Sequence, residues 1–146
     1  MTRTELLGFM REHWLATQAS VSASGDPQAA VVGFVVTDAF ELFFDTLTTS
    51  RKAANLRQHP RAAFVIGGAA PGDERTVQLE GVCDEPAGDD LRRLKELYFV
   101  RFPDGRDRER SPAITYFRVR PAWIRYSDFS SAPPAIIEYD FPGAST

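Results

Sequence analysis

The sequence is poor in the residues that build covalent or metal-based chemistry. One cysteine, Cys83, stands among 146 residues. A lone thiol forms no intrachain disulfide, which fits a reducing compartment. The two histidines, His13 and His59, lie too far apart in the chain for metal-ligand spacing, so no metal site is expected. No GxSxG elbow, P-loop or GxGxxG fingerprint occurs, which leaves the common nucleophile and phosphate-loop chemistries without a carrier. No uninterrupted apolar run approaches the ~18 residues of a membrane span. The opening TRTELLGFMREHW carries charges where a signal peptide needs an apolar stretch. A net charge of −3 argues against general nucleic-acid binding, because that usually needs a basic surface. The expectation is a soluble, cytoplasmic protein that engages neither membrane nor nucleic acid. A local basic spot for one small anion remains open.

What the chain has is an ordinary globular balance, 43% hydrophobic and 25% charged, with 11 phenylalanines. The length predicts one domain, residues 1–146, with a ring-rich core. Residues 3–14 read as a helix with Leu7, Met10 and Trp14 on one face and a capping box at Thr2 and Glu5. LATQASVSA alternates and predicts a strand, ended by the turn SGDP. AAVVGFVVT, 29–37, is apolar on both faces, as in a strand that is buried on both sides or lies under a ligand. Gly33 in its middle marks a bend or a close approach. FELFFDT and AAFVIGG predict two more strands around a short helix that starts after Ser50 and stops at His59-Pro60. TVQLEGVCDE, 76–85, alternates again, with Thr76, Gln78 and Glu80 sharing one face. Residues 87–102 predict an amphipathic helix through Leu91, Leu94, Tyr98 and Phe102. FPDGRDRERSP reads as a solvated charged loop. ITYFRVRPAWIRYSDF is a strand pair or one strand kinked at Pro121, and APPAIIEYDF holds one short strand at most. Short turns between strands favour antiparallel pairing. The predicted architecture is mainly β: a six- or seven-stranded antiparallel split β-barrel with short helices at its rim.

One local feature is electrostatically odd. The helix after Ser50 opens with Arg51 and Lys52, two cations where the helix dipole is already positive and favours anions. A solvated helix end with two surface cations is one reading. The other is an anion site, where helix N–H groups, hydroxyls of Thr46, Thr49 or Ser50 and the two cations converge on a phosphate. Elsewhere the bland readings prevail. His13 reads as a surface residue of the first helix, His59 as a helix stop, and Cys83 as a small core residue. Asp89, Asp90 and Glu85 read as an acidic patch that helps to start the long helix. Trp123, Arg125 and Tyr126 are either alternate residues of an ordinary strand or, through Trp or Arg, a stacking partner for a planar ligand.

Taken in order, these motifs resemble the pyridoxamine 5′-phosphate oxidase-like, FMN-binding split-barrel family. LATQASVSASGDPQAAVVGFV is similar to its opening hairpin, and FDTLTTSRKAANLRQHPRAAFVI to its strand, Thr, Ser-Arg-Lys and Asn-Pro stretch, with His59-Pro60 replacing Asn-Pro. TVQLEGVCDE resembles its Gln-containing strand, and YFRVRPAWIRYSDF its terminal strand. The likeness covers roughly residues 13–128 and rests on order and spacing together.

The resemblance implies FMN as cofactor, with a deazaflavin as the alternative, in a groove between the subunits of a homodimer. It implies that Thr46, Arg51 and Lys52, beside Ser50, hold the flavin phosphate, which would account for the two cations. It further implies that the backbone of Ala30, Val31 and Val32 runs along the flavin; Gln78, two places beyond the family's flavin-contacting Gln but on the same face as Thr76, is expected as a further contact, and Trp123 joins it through the stacking reading. The expected function is that of an FMN-dependent oxidoreductase acting on a small molecule. The alternatives are a deazaflavin-dependent reductase and a non-catalytic flavin- or haem-binding dimer. Where the oxidase itself has a basic residue at each end of its flavin strand, this chain has Ala30 and Val35, and Asp45 replaces the Tyr before its Thr. These departures point away from vitamin-phosphate oxidation, and the catalytic residues are left unassigned.

Overall fold

A computed structural model describes residues 1–143. Residues 144–146, the end of the domain expected above, lie outside the described residues. The strands are β1 (Leu15–Val21), β2 (Pro27–Gly33), β3 (Val35–Val36), β4 (Leu42–Leu47), β5 (Arg61–Gly67), β6 (Arg75–Asp84), β7 (Ile114–Asp128) and β8 (Ala135–Asp140). The helices are α1 (Arg3–Arg11), α2 (Arg51–Gln58), α3 (Gly88–Arg101) and α4 (Gly105–Glu109). All strand pairings are antiparallel.

The sheet runs β2-β1-β5-β6-β7-β4-β3, with β8 added beside β7. Its two outer strands, β2 and β3, are neighbours in the chain, separated by Phe34 alone. The sheet must therefore curl until its edges meet, which makes the split barrel. β7 is long enough to serve two partners on one edge, β4 along Ile114–Val119 and β8 along Trp123–Asp128. The eight strands exceed the expected six or seven. The run 29–37 breaks at Phe34 into two strands, and the last segment forms β8. The close approach expected at Gly33 is the Phe102 ring, which a Cβ there would meet at 2.9 Å.

Period-two alternation sorts β4 between two cores. Leu42 and Phe44 enter the barrel with Phe34, Phe64 and Phe117, while Phe43 packs with Leu94, Tyr98 and Phe99 of α3 on the outside. From α1, Leu6, Phe9 and Met10 join the barrel core. Its capping box forms as expected. Trp14 falls beyond the end of α1 and stays exposed instead of sharing the helix's apolar face. The charged loop also departs from expectation: residues 105–109 form α4, and Arg108 turns inward.

β1 inverts the usual pattern. Its buried residues are Ala16, Gln18 and Ser20, while Leu15, Thr17 and Val21 face out. Ser20 is paid for by Asn55 of α2, whose amide donates to Ser20 Oγ at 3.0 Å and to Gln28 Oε1 at 3.1 Å. β7 runs through Pro121 as one strand. Its register against β6 shifts there, since Glu80 faces Trp123 but Gly81 faces Pro121, leaving Ala122 unmatched. A side chain at Gly81 would fall on the Arg120 carbonyl oxygen and lie 2.7 Å from Val119 Cγ1. Gly81→Ala is thus expected to cost about 1–3 kcal/mol, as overpacking does. Gly8→Ala, in α1 where a Cβ meets nothing within 4 Å, should gain up to about 1 kcal/mol. Urea denaturation of the two variants reads both signs.

Candidate cofactor site

The end of β4 and the start of α2 form a hydroxyl and ammonium cluster. Thr46 is the last buried residue of β4. Its side-chain oxygen lies 3.0 Å from Ser50 Oγ and accepts from Lys52 Nζ at 3.3 Å. Ser50 is the N-cap, as the sequence predicts, and its Oγ accepts from the Ala53 N–H at 3.2 Å. The Ala54 N–H is taken by the Ser50 carbonyl. The N–H groups of Arg51 and Lys52, at the first two helical positions, have no intrahelical acceptor to reach. Arg51 itself is exposed. Among the described residues, neither Arg51 nor Lys52 pairs with a carboxylate. The cluster offers hydroxyls, an ammonium, a guanidinium and a helix start, with no acid to oppose an anion. This donor set fits a phosphate dianion.

Asp45, beside Thr46, is committed elsewhere. Alternation turns it to the other face of β4, where Arg108 Nε donates to it at 2.9 Å and Tyr98 OH at 3.0 Å. Burial, and then the charge of Asp45, pushes the Tyr98 phenol up, so it remains a donor. The residue that interrupts the resemblance therefore docks α3 and α4 and leaves the cluster free of its charge.

The other expected contacts divide into two groups. Ala30, Val31 and Val32 lie in β2, paired with Gln18, Thr17 and Ala16. Val32 is buried, whereas Val31 faces out. Gln78 faces out from β6 between Val65 and Arg125. Trp123 lies on β7, its indole N–H donating to Glu138 at 3.3 Å, with Arg125 over its ring. Thr46 pairs with Thr115 on the same strand, so roughly 26 Å of extended chain separates Thr115 from Trp123. Within one chain, then, Thr46, Ser50 and Lys52 are brought together, and Gln78 and Trp123 are not brought to them.

Two features were silent in the sequence. Asn55 pins α2 to the β1–β2 hairpin, but a polar residue in a short helix carries no sign of burial. His13 is more than a surface residue, since its Nδ1 lies 3.0 Å from the Phe9 carbonyl oxygen and its ring packs on Phe9. His59 does close α2 as its C-cap. The described residues contain no group of three or more His, Cys, Asp or Glu that could hold a metal. None of their helices is long and apolar enough to cross a membrane.

Comparison with known proteins accords with this geometry. The sequence matches the Pyridoxamine 5′-phosphate oxidase family over residues 2–128. The chain belongs to that family. It is 35% identical over 127 residues to the pyridoxine/pyridoxamine 5′-phosphate oxidase of Bordetella avium, covering 81% of this chain but only 58% of that enzyme. Two solved structures share the fold at low identity. One is a haem binding protein of Mycobacterium smegmatis, with TM-score 0.82 and 17% identity over 96% of this chain and 58% of that one. The other is a pyridoxamine 5′-phosphate oxidase-related, FMN binding protein of Nostoc punctiforme, with TM-score 0.66 and 14% identity over 94% and 93% of the two chains.

Cys83 takes no part in the cluster. It is buried in the barrel core, and burial, reinforced by Asp84 and Glu85, pushes its thiol up to about 12. The thiolate is the reactive form. Native protein at pH 8 should therefore leave a disulfide reagent such as Ellman's unreacted, and stoichiometric reaction should appear only on unfolding in urea.

Proposed function

We propose that this protein is an FMN-dependent oxidoreductase whose flavin phosphate is held at the junction of β4 and α2. The observation that carries the reading is the convergence of Thr46, Ser50 and Lys52, free of any opposing carboxylate, in a member of this family. Lys52 and Arg51 neutralise the phosphate, Thr46 and Ser50 donate or accept hydrogen bonds at it, and the first N–H groups of α2 point the same way. The β2 backbone at Ala30, Val31 and Val32 supports the ring. When bound, a flavin supplies hydride or electron transfer, and the protein supplies binding, orientation and control of access.

The protein acts as a homodimer on this reading. Gln78 and Trp123 are far from the cradle of their own chain, so they serve a flavin held by a second copy. The outward apolar residues of β1 and β5, including Leu15, Val21 and Val65, offer the surface for that copy. A reduced, buried thiol supports a cytoplasmic location. The B. avium enzyme's substrate is not carried over, because Ala30 and Val35 stand near the places where the oxidase has basic residues at the ends of its flavin strand, and this chain spans only 58% of that enzyme.

Flavin fluorescence quenching tests the cradle. Wild-type protein should bind FMN at least tenfold more tightly than riboflavin, which lacks the phosphate. Replacing both cations, Arg51→Ala with Lys52→Ala, should weaken FMN binding about a hundredfold and abolish that preference, as expected for the loss of two charge-assisted contacts. A phosphorylated deazaflavin titrated in parallel decides between the two cofactors. Uptake of haem with a Soret band, and of neither flavin, would replace the flavin reading with that of a haem carrier.

A further inference from the structure

The split between β2 and β4 is closed unequally. At one end the chain itself joins the two strands. Gly33 leads through Phe34 into β3, and β3 pairs with β4 at Val35–Phe43 and Val36–Leu42. Away from Phe34, β2 pairs with β1 and, among the described residues, has no strand on its other side. No ladder therefore fixes how far the start of β2 stands from Thr46 and from α2.

One side chain spans this open end. Asn55 of α2 is 7% exposed. Its amide donates to Gln28 Oε1 on β2 at 3.1 Å and to Ser20 Oγ on β1 at 3.0 Å. Ser20 and Gln28 face each other in the β1–β2 register, so one amide holds both strands of the hairpin. Among the described residues, the bond to Gln28 is the only hydrogen bond that joins β2 to α2 or β4. Ala53 and Leu56 bury the same helix against the barrel, but apolar burial is non-directional. The two bonds of Asn55 demand a distance and an angle.

Lys52 and Asn55 stand three residues apart on α2 and are neighbours on its surface. Lys52 reaches Thr46 of β4 at 3.3 Å, while Asn55 reaches Gln28 of β2. The helix thus carries a cation to one side of the split and a tie to the other. Near its far end, Arg57 pairs with Glu85 at 2.7 Å, an exposed contact that does not involve β2.

We propose that Asn55 is a positioning residue that sets the span between the phosphate cradle and the ring-backing strand β2, so that both ends of one FMN engage at once. This role rests on the flavin reading. FMN is in effect two ligands, a ring and a phosphate, joined by a flexible ribityl chain. Linking them gains affinity only where the spacing of the site lets both bind together. Both hydrogens of the Asn55 amide are taken by Ser20 and Gln28, which leaves it no donor for the cofactor. Its loss should therefore spare the affinity for the ring and remove the gain from the link.

Flavin fluorescence quenching on flavin-free, full-length protein tests this with FMN and riboflavin. Asn55→Ala should weaken FMN binding about tenfold or more and change riboflavin binding by no more than about twofold, because only the linked ligand senses the span. Gln28→Leu leaves α2 and its cations intact and should do the same, which keeps the test open if Asn55→Ala folds poorly. Gln28→Glu retains an acceptor for the amide and should keep the wild-type preference for FMN. Arg57→Gln should keep it too, since an exposed ion pair holds little. A preference that survives Gln28→Leu or folded Asn55→Ala overturns the proposal. So does an equal loss in Gln28→Glu, or in Arg57→Gln, which would make any anchor of α2 as good as Asn55. Wild-type protein that binds neither flavin removes the flavin reading and this role with it, whereas a preference for FMN that every variant keeps removes this role alone.

Discussion

The closure of the sheet through Phe34 is the constraint on which the rest of the molecule depends. β2 and β3 lie at opposite edges of the sheet yet are joined by that one buried residue. A flat sheet cannot satisfy both positions, so the strands must curl. Curling creates an interior, and the phenylalanines fill it. It also leaves openings at the ends, which α1 and α2 approach. The start of α2 brings Ser50 and Lys52 to Thr46 at the end of β4, so the position of that cluster follows from barrel closure. Asn55 fixes the same helix to the β1–β2 hairpin with two hydrogen bonds from one buried amide. A buried amide is costly unless it is bonded, and here the bonds join the helix that carries the cations to the strand expected to back the ring.

Arginine–carboxylate pairs organise the exterior around this barrel. Arg118, almost fully buried, donates twice to Asp84. Arg108 joins Asp45 to Asp104 and so holds α4 against the sheet. Fork-shaped guanidinium groups suit such pairing. The contrast with Arg51 and Lys52 is informative. Most of the acids near arginines on this surface are engaged in pairs, whereas the two cations at the start of α2 are left facing none of them. A cation pair at the positive end of a helix, without a carboxylate, is electrostatically unfavourable by itself. A bound anion removes the conflict.

Much of the architecture was legible from local pattern. Ser50 before a short helix, Thr2 with Glu5, and the strand alternation at 76–85 all reflect interactions within a few residues, and each forms as read. The misreadings concern residues whose partners are distant. Trp14 shares helical spacing with Met10, but the helix ends first. The 106–110 run is charged and reads as solvated, yet Arg108 finds Asp45, which lies 63 positions away in the chain. β1 offers its apolar side to the outside: its inward residues include Gln18 and Ser20, and Ser20 is met by the amide of Asn55 from α2.

The sequence by itself determined the family, the antiparallel β character and the pairing of a hydroxyl-rich strand end with an Arg-Lys helix start. Caps, periods and short-range spacing encode these, and they act over a single turn or strand. Tertiary structure decided which candidate residues meet. It joined Thr46 to Lys52, turned Asp45 away from them, carried Gln78 and Trp123 to a different face, and brought Asn55 to Gln28. Those outcomes depend on the curl of the sheet and the side of each strand that faces inward. No local pattern carries that information, because a period of two says that faces alternate and not which face the barrel encloses.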